Sequence, residues 1–216
     1  MKTFGLYSAG GFAREVRASL VKTLSLQENE AFEIVYIDDD PSKVGTSIHG
    51  SQVVSYDWFQ NLENKRLNVA FADPAIRKSK CTKAHEDGIE FFSLFAPTFI
   101  RGDNVRIGEG AIFANNTIVT ADAVIGEHFH CNIYSYVAHD CQIGDYVTFA
   151  PRVSLNGRVV VQDNVYIGSD ATILPGQSDT PLVIGAGAII GAGAVVTKSV
   201  ERGATVVGSP AKPLMR

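Results

Sequence analysis

The stretch VRIGEGAIFANNTIVTADAVIGEHFHCNIYSYVAHDCQIGDYVTFAPRVSLNGRVVVQDNVYIGSDATI, from Val105 to Ile173, decides the fold because it repeats every six residues. The register extends beyond this stretch, and every sixth position is apolar except Arg101. These positions are Phe95, Arg101, Ile107, Phe113, Val119, Ile125, Cys131, Val137, Ile143, Phe149, Leu155, Val161, Ile167, Ile173 and, after a break, Ile184, Ile190 and Val196. A second set, mostly small or β-branched, follows four places later: Ala111, Thr117, Ala123, Ser135, Cys141, Val147, Val153, Val159, Val165, Ala171, Ala188 and Ala194.

A fixed six-residue period indicates a hexapeptide repeat, in which each hexad forms a short strand and a turn. Three hexads make one triangular coil, and successive coils stack at the strand spacing of roughly 4.8 Å. Both residue sets then point inward, while glycine or a polar residue that tolerates positive φ forms the corner. One coil cannot bury its inner face alone, so stacking supplies the core. An ordinary β-sandwich is the alternative, but it gives no reason for so long a register. The break over 177–183 predicts a loop on the outer surface.

The whole-chain numbers limit the class of protein. A length of 216 residues suits one or two domains. The net charge of −4 and the pI near 5.7 provide no basic field for nucleic acid or an anionic membrane. The sequence shows no signal peptide and no apolar run long enough to span a bilayer. We therefore expect a cytoplasmic protein without nucleic-acid or membrane partners.

The three cysteines are too few and too scattered for a disulfide framework. Cys131 and Cys141 fall on inward positions of the repeat, where they serve as small core residues. Reduced thiols are in keeping with the cytoplasmic expectation.

The residues before the repeat predict a small α/β domain with a parallel sheet. The predicted elements are strands over 3–7, 33–37, 67–72 and 90–94 and helices over 12–21 and 74–87. A turn containing Gly10 and Gly11 joins the first strand to the first helix, which is the opening of a Rossmann-like unit with helix N–H groups available to a phosphate. Ser8 breaks the full dinucleotide fingerprint.

Asp38 and Asp39 end the second strand, where α/β nucleotide sites often contact a sugar or base. The plain alternatives are a tight turn at the glycines and a solvated acidic turn at the aspartates. With about 93 residues, the domain is too short to bind a dinucleotide but long enough to hold a single nucleotide.

Four motifs follow one another in a specific order along nearly the whole chain: the Gly10-Gly11 turn, Asp38-Asp39, His139-Asp140-Cys141 with Ile143-Gly144-Asp145, and Gly208-Ser209-Pro210-Ala211-Lys212. This order resembles the left-handed β-helix acyltransferases, and within them the nucleotide-sugar N-acetyltransferases and sialic-acid O-acetyltransferase-like proteins of bacterial glycan pathways. The resemblance implies a Rossmann-like nucleotide-sugar-binding domain over 1–93 and a left-handed parallel β-helix over 94–216. It also implies a homotrimer, acetyl-CoA as co-substrate, no metal, and a UDP- or dTDP-linked amino-dideoxy sugar acetylated on its amine, at C4.

His139 is the expected general base, because the family's base lies in a His-Asp or His-Glu pair within this coil. The amine must be neutral when it attacks the thioester, and a histidine with an ordinary pKa of about 6.5 can accept the proton. A carboxylate beside a histidine strengthens it as a base, which is the role expected for Asp140. Gly157 occupies the position whose N–H stabilises the oxyanion in similar enzymes. A surface histidine at a turn is the plain alternative.

The resemblance also implies the remaining site residues. Those expected near the nucleotide-sugar are Gly10, Gly11, Phe12, Asp38, Asp39 and Ala72, and those expected near CoA are Thr148, Ser169, Ala192 and Lys212. Two departures bear on the sugar: Ser8 replaces the family's first turn glycine, and Phe12 replaces a histidine, so it cannot hydrogen-bond a phosphate or hydroxyl. Some relatives carry histidine at the position of Thr148.

Three alternatives remain open at this level. An O-acetyltransferase acting on sialic acid or another sugar hydroxyl could use the same base. A non-catalytic trimeric nucleotide-binding scaffold could keep the fold without the reaction. A zinc site of the β-helix carbonic anhydrase kind, using His128, His130 and His139, is disfavoured because the downstream histidine pair of that family is missing.

Overall fold

A computed structural model describes residues 1–28 and 30–214 of the chain. They divide into two compact units, Met1–Pro97 and a second unit that begins at Thr98. The sequence placed this boundary between residues 93 and 94. No helix in the described part of the chain combines the length and apolarity needed to cross a membrane.

The first unit is a sheet of five strands with three helices. Its elements are β1 (Lys2–Tyr7), α1 (Gly11–Gln27), β2 (Phe32–Ile37), β3 (Ser47–Ile48), β4 (Ser51–Val54), α2 (Tyr56–Gln60), β5 (Lys65–Val69), α3 (Pro74–Glu86) and the short β6 (Leu94–Phe95). The sheet order is β3-β4-β2-β1-β5. All neighbours are parallel except β3 and β4, which form an antiparallel hairpin. The parallel strands place their carboxyl ends, where Tyr7 and Ile37 lie, along one edge.

Several predicted boundaries in this unit were wrong. The first helix continues to Gln27 rather than ending at residue 21, and β5 ends at Val69 rather than at Ala72. Ala72 therefore lies in the loop before α3, which begins at Pro74 behind an Asp73 cap. In place of the strand expected over 90–94, Phe91 makes one isolated bridge to Leu67, and β6 comes later. The sequence also gave no signal for β3, β4 and α2, because a two-residue strand and a five-residue helix are too short to show periodicity.

The second unit is a coil of short parallel strands, as the repeat predicted. Its strands are β7 (Ile100–Asp103), β8 (Arg106–Ile107), β9 (Ile112–Phe113), β10 (Ile118–Ala121), β11 (Val124–Ile125), β12 (His130–Cys131), β13 (Tyr136–Val137), β14 (Gln142–Ile143), β15 (Thr148–Phe149), β16 (Ser154–Leu155), β17 (Val159–Val161), β18 (Tyr166–Ile167), β19 (Thr172–Ile173), β20 (Leu182–Ile184), β21 (Ile189–Ile190), β22 (Val195–Val196), β23 (Thr205–Val207) and β24 (Lys212–Pro213). Each strand pairs in parallel with the strand one coil later, which creates three faces: β7-β10-β13-β16-β19-β22, β8-β11-β14-β17-β20 and β9-β12-β15-β18-β21-β23. Among the strands described for this unit, β24 alone is antiparallel, and it pairs with β23.

The predicted surface loop is confirmed, with different bounds. Residues 174–181 carry no strand, and most of them are exposed. The repeat register survives the excursion, because Val161 pairs with Ile184 in the next coil.

From Phe113 onward the inward positions form the core that the sequence predicted, and Cys131 and Cys141 are both fully buried there. The prediction was wrong at the start of the register, where Arg101 is exposed and Phe95 and Ile107 are only partly buried. Arg101 and Ile107 lie on β7 and β8, the end strands of their faces, which pair with a further strand on one side only.

Cys131 lies between Phe113 and Phe149 on neighbouring coils and is much smaller than either. The ring of Phe129, from a position where the repeat prefers small residues, fills the resulting space. Its centroid lies 5.4 Å from that of Phe113 and 5.0 Å from that of Phe149.

We predict that Phe129→Ala destabilises the second unit by about 3–5 kcal/mol, because it opens a cavity between two rings that cannot close over it. Denaturant unfolding followed by circular dichroism measures the change. Val124→Ala, which trims a side chain 39% exposed on an outer face, is the control and should change the free energy of unfolding by less than about 0.5 kcal/mol. Equal effects of the two variants would contradict this account of the core.

Candidate active site

His139 and Asp140 form a hydrogen-bonded pair at a corner of the coil. The corner comprises residues 138–141, between β13 and β14, and Asp140 adopts the left-handed conformation with φ of 59°. The ring nitrogen Nδ1 of His139 lies 2.7 Å from Oδ2 of Asp140, so Nδ1–H donates to the carboxylate. Both side chains are about half exposed. When Nδ1–H donates in this way, the lone pair of the neutral imidazole is on Nε2.

Gly157 lies directly against the imidazole, one coil further along. A Cβ at this position would lie 2.6 Å from Cε1 and 2.7 Å from Nε2 of His139, so the ring occupies the space that any side chain would need. The amides on either side are used within the coil: Asn156 donates to the carbonyl of Ile173, and Arg158 donates to that of His139. Among the hydrogen bonds of the described residues, none uses the N–H of Gly157. A backbone N–H without a partner in the described part of the chain is the kind of group that can stabilise an oxyanion.

Cys141 and Cys131 are not arranged to act as nucleophiles. Burial raises the pKa of the Cys141 thiol, whose Sγ lies 3.2 Å from the carbonyl oxygen of Asn156. Burial likewise raises the pKa of Cys131 well above its usual range. A thiol that stays protonated and faces the core is inert towards a thioester.

The residues expected near CoA lie at other places on the coil. Ser169 and Ala192 share one corner on consecutive coils, and the carbonyl of Ser169 accepts a hydrogen bond from Gly193. Lys212 is exposed at the end of the coil, on β24. Thr148 differs from these three because it lies on β15 and is only 4% exposed.

A short turn joins β1 directly to the N-terminus of α1, as the glycine motif predicted. Gly10 is the N-cap of α1 without a side-chain cap, and a Cβ on Gly11 would meet open space. Ser8 has a φ of 130°, a backbone conformation that favours glycine. Its Oγ accepts a hydrogen bond from the Gly10 amide. The sequence departure at Ser8 therefore keeps the glycine-type backbone and adds a side-chain bond that holds it.

Asp38 and Asp39 play different parts at the end of β2. The carboxylate of Asp38 accepts hydrogen bonds from the amides of Ala9 and Asp40, so it ties this edge to the glycine turn. Asp39 accepts a 2.7 Å bond from the hydroxyl of Tyr7 and pairs at 2.7 Å with Nζ of Lys80. Partial burial by itself would raise the pKa of Asp39, but these two hydrogen bonds and the Lys80 charge together hold it below its usual value.

A cavity of about 390 Å³ opens beside these aspartates, and its other lining residues come from the loop after β2 and from the start of α2: Pro41, Val44, Ser55, Tyr56 and Asp57. The ring of Tyr56 stacks on that of Tyr7 with centroids 5.3 Å apart. Sequence reasoning missed Ser55, Tyr56 and Asp57 because it did not predict β4 and α2. Phe12 and Ala72, also expected at the nucleotide, lie in the first turn of α1 and in the loop after β5.

The histidines considered for zinc do not converge within one chain. His128 lies at the corner between β11 and β12 and stacks on Tyr146, His130 lies on β12, and His139 lies at a different corner. In the described part of the chain, one group has the spacing of metal ligands, and it joins His128 with Glu109 and Glu127. A separate groove of about 710 Å³ on the face that contains β14 includes Arg106, Gln142 and Arg202 but none of the expected site residues.

Comparisons with known proteins identify relatives that match the whole chain. No family model matches the chain. The chain is 43% identical to the GDP-perosamine N-acetyltransferase of Escherichia coli O157:H7 over its whole length and 98% of that protein. Among solved structures it matches WeeI from Acinetobacter baumannii AYE, with a TM-score of 0.93, 42% identity and coverage of 99% and 100% of the two chains. It also matches PerB from Caulobacter crescentus in complex with CoA and GDP-perosamine, with a TM-score of 0.87, 29% identity and coverage of 100% and 98%.

The parallel coil of hexads, together with these full-length relatives, places the chain among the hexapeptide-repeat acyltransferases. Within that class, the chain belongs to the sugar N-acetyltransferases of the left-handed β-helix family, as the sequence predicted, and it is an acetyltransferase.

We predict that Gly157→Ala lowers kcat by about 100-fold, because the new methyl group displaces the imidazole from its position. Steady-state measurement of CoA release gives kcat. Gly187→Ala is the control: its Cβ meets open space and its φ of 69° strains the backbone alone, so it should lower the melting temperature without lowering kcat. Full activity in the Gly157→Ala enzyme would contradict the packing of His139 on this glycine.

A pH-dependent effect should follow from Lys80→Met. The lowered pKa of Asp39 stabilises the fold above the unfolded value of about 3.9, and this stabilisation is lost as the pH falls through the lower folded value. The variant should therefore be less stable than the parent at pH 7, by up to about 1 kcal/mol for such an exposed pair, and the difference should shrink below pH ~4. Urea unfolding between pH 2.5 and 7 tests this. Lys22→Met, which replaces an exposed lysine of α1, is the control. A difference that does not change with pH would refute it.

Proposed function

We propose that this enzyme transfers the acetyl group of acetyl-CoA to the amine, at C4, of a GDP-linked amino sugar, with His139 as general base. The observation that carries the proposal is the His139-Asp140 pair packed on Gly157 with its unused N–H, in a chain that matches a GDP-perosamine N-acetyltransferase along its full length. The nucleotide proposed here replaces the UDP or dTDP expected from the sequence, because the full-length relative from Escherichia coli O157:H7 is a GDP-perosamine N-acetyltransferase and PerB from Caulobacter crescentus is in complex with GDP-perosamine.

The chemistry needs only groups that this corner provides. The amine nitrogen attacks the thioester carbonyl carbon and forms the new C–N bond, while Nε2 of His139 accepts the proton that the nitrogen loses. Asp140 holds the opposite ring nitrogen and balances the imidazolium charge. The carbonyl oxygen becomes an oxyanion and binds the N–H of Gly157. Collapse of this intermediate breaks the C–S bond, and CoA leaves as a thiolate that takes up a proton.

The first unit is proposed as the nucleotide-sugar-binding domain over about residues 1–93, with a Rossmann-like arrangement. Its β1-α1-β2 unit is parallel, and the uncapped first turn of α1 offers N–H groups to a diphosphate. The adjoining cavity beside Asp38 and Asp39 provides space for the ribose and base. Phe12 and Ala72 complete the proposed substrate-binding set.

A homotrimer is proposed because the two groups of expected residues flank the same face of the coil. The corner of His139 follows β13, and the corner of Ser169 and Ala192 precedes β19 and β22, on the face formed by β7, β10, β13, β16, β19 and β22. In a ring of three copies with this face towards the axis, the His139 corner of one copy would meet the Ser169 corner of the next. Acetyl-CoA would then lie between two copies, with Lys212 near its phosphates and Thr148 contributing at most its backbone. Such an enzyme would work in the cytoplasm, where acetyl-CoA and nucleotide sugars are made.

Two further structures show a related enzyme that keeps both ligands after a histidine is replaced. Variants of the Caulobacter crescentus perosamine N-acetyltransferase in which one histidine is replaced by asparagine or alanine both hold CoA and GDP-perosamine. In that enzyme, therefore, the replaced histidine is not required for either ligand to bind.

The test is release of free CoA thiol from acetyl-CoA with GDP-perosamine, with UDP- and dTDP-linked 4-amino sugars and with free sialic acid. We expect turnover with GDP-perosamine, and a loss of about 100-fold or more in kcat for His139→Ala with little change in KM. His85→Ala, which removes an exposed histidine of α3, is the matched control and should keep full activity.

Other outcomes would redirect the assignment. Turnover with sialic acid alone would move it to O-acetylation, and turnover with a UDP- or dTDP-sugar alone would overturn the choice of GDP. Binding of nucleotide without any turnover would indicate a non-catalytic scaffold. Full activity of His139→Ala would refute the proposed base.

A further inference from the structure

Arg158 reaches back one coil to the carboxylate that holds His139. Its Nε lies 3.8 Å from Oδ2 of Asp140, which is the same oxygen that accepts the hydrogen bond from Nδ1 of His139. Asp140 is therefore shared between the proposed base on one side and a guanidinium on the other. The side chain of Arg158 is 41% exposed, so the contact lies on the outer surface of the coil rather than in its core.

The backbone fixes where this arginine points. Asn104, Asp122, Asp140 and Arg158 occupy the same corner on four successive coils, and all have φ between 50° and 60°. The Arg158 amide donates to the carbonyl of His139 at 3.0 Å, which ties the two residues together across the coil boundary. Its side chain thus leaves the corner in the same direction as that of Asp140, one strand spacing away.

The charges of the residues at this corner indicate what Arg158 does. Asp122 lies one coil before Asp140, and its carboxylate accepts a hydrogen bond from Asn104 at 2.8 Å. Two aspartates on neighbouring coils repel each other at a spacing of roughly 4.8 Å. Arg158 supplies the opposite charge on the far side of Asp140. It therefore draws that carboxylate towards the level of His139 and Gly157 and away from Asp122.

We infer that Arg158 is a positioning residue for the acetyl transfer: it holds the Asp140 carboxylate on Nδ1 of His139 and so keeps Nε2 directed at the acceptor amine. This inference rests on the proposed role of His139 as the base. When an aspartate and a histidine are both exposed, water readily replaces the hydrogen bond between them. A second partner on the same carboxylate oxygen restricts the motion of the carboxylate and so preserves that bond. The ring then meets the substrate in one tautomer and one orientation.

The experiment compares Arg158→Met with Arg158→Lys under saturating acetyl-CoA and GDP-perosamine. Methionine keeps the length of the side chain without the charge, and we expect kcat to fall by roughly tenfold while both KM values stay within about twofold. Lysine restores a cation near Asp140 and should recover most of the lost kcat. In a ¹⁵N-histidine NMR spectrum, the Met variant should show a mixture of His139 tautomers where the parent shows the form protonated on Nδ1.

Arg66→Met is the matched control. Arg66 pairs with Glu90 in the first unit at 3.4 Å, through a loose and exposed contact like that of Arg158 with Asp140, and neither residue belongs to the proposed site. Its loss removes an arginine-carboxylate pair of similar geometry, so it should change the melting temperature about as much as Arg158→Met does without lowering kcat or changing the His139 spectrum.

The failure of this inference can be told from the failure of the proposed base. If His139→Ala abolishes activity but Arg158→Met does not lower kcat, the positioning role is refuted and the base stands. Equal losses in the Met and Lys variants, with an unchanged tautomer spectrum, would show a structural role and refute the inference as well. In the His139→Ala background, Arg158→Met should have no further effect on the residual rate, and an additive loss would contradict action through His139. Full activity of His139→Ala would overturn both.

Discussion

The hydrogen bonds that join each strand of the coil to the strand one turn later are the interaction on which the second unit depends. Tyr136 pairs with Ser154 and Ser154 with Thr172, so residues eighteen apart in sequence become direct neighbours. This pairing places every side chain in a column with its equivalents on other coils. Gly157 therefore lies against His139, and Arg158 against Asp140, because each pair is separated by one full turn of the coil. The candidate active site is a consequence of the same register that builds the core.

The corners of the coil can carry polar and charged side chains without disturbing that core. Inward positions are filled by apolar residues such as Phe113, Phe129 and Phe149, whose rings contact one another along the axis. Corner residues in the left-handed conformation point outward instead, and they tolerate histidine, aspartate and arginine at some conformational cost. Ion pairs between coils, such as that of Arg152 with Asp170, occupy these same positions. The positions of the candidate site and those of the core are thus separated within each hexad.

The first unit organises its carboxyl edge by a different means. Ser8 adopts a glycine-type backbone, and Asp38 accepts the Ala9 amide, so the turn before α1 is held from two sides. Tyr7 remains a neutral donor to Asp39, since burial and then that hydrogen bond raise the pKa of its hydroxyl. Lys80 satisfies the other oxygen of Asp39 and lies over the ring of Tyr7. The edge proposed to receive the nucleotide is therefore a connected network rather than a row of free acidic groups.

The sequence alone determined the coil, its inward residues from Phe113 onward and the proximity of His139 to Asp140, because a six-residue period can be recognised within a short stretch of sequence. It also determined the family, which the order of four motifs indicated and the full-length relatives confirmed. Only the tertiary structure decided that Gly157 has no room for a side chain, that Thr148 is buried, and that Tyr56 and Asp57 border the cavity beside Asp38. These facts depend on which residues face each other across a turn of the coil or across the edge of a sheet. Short elements such as β4 and α2 bring such residues together without leaving any periodicity for the sequence to show.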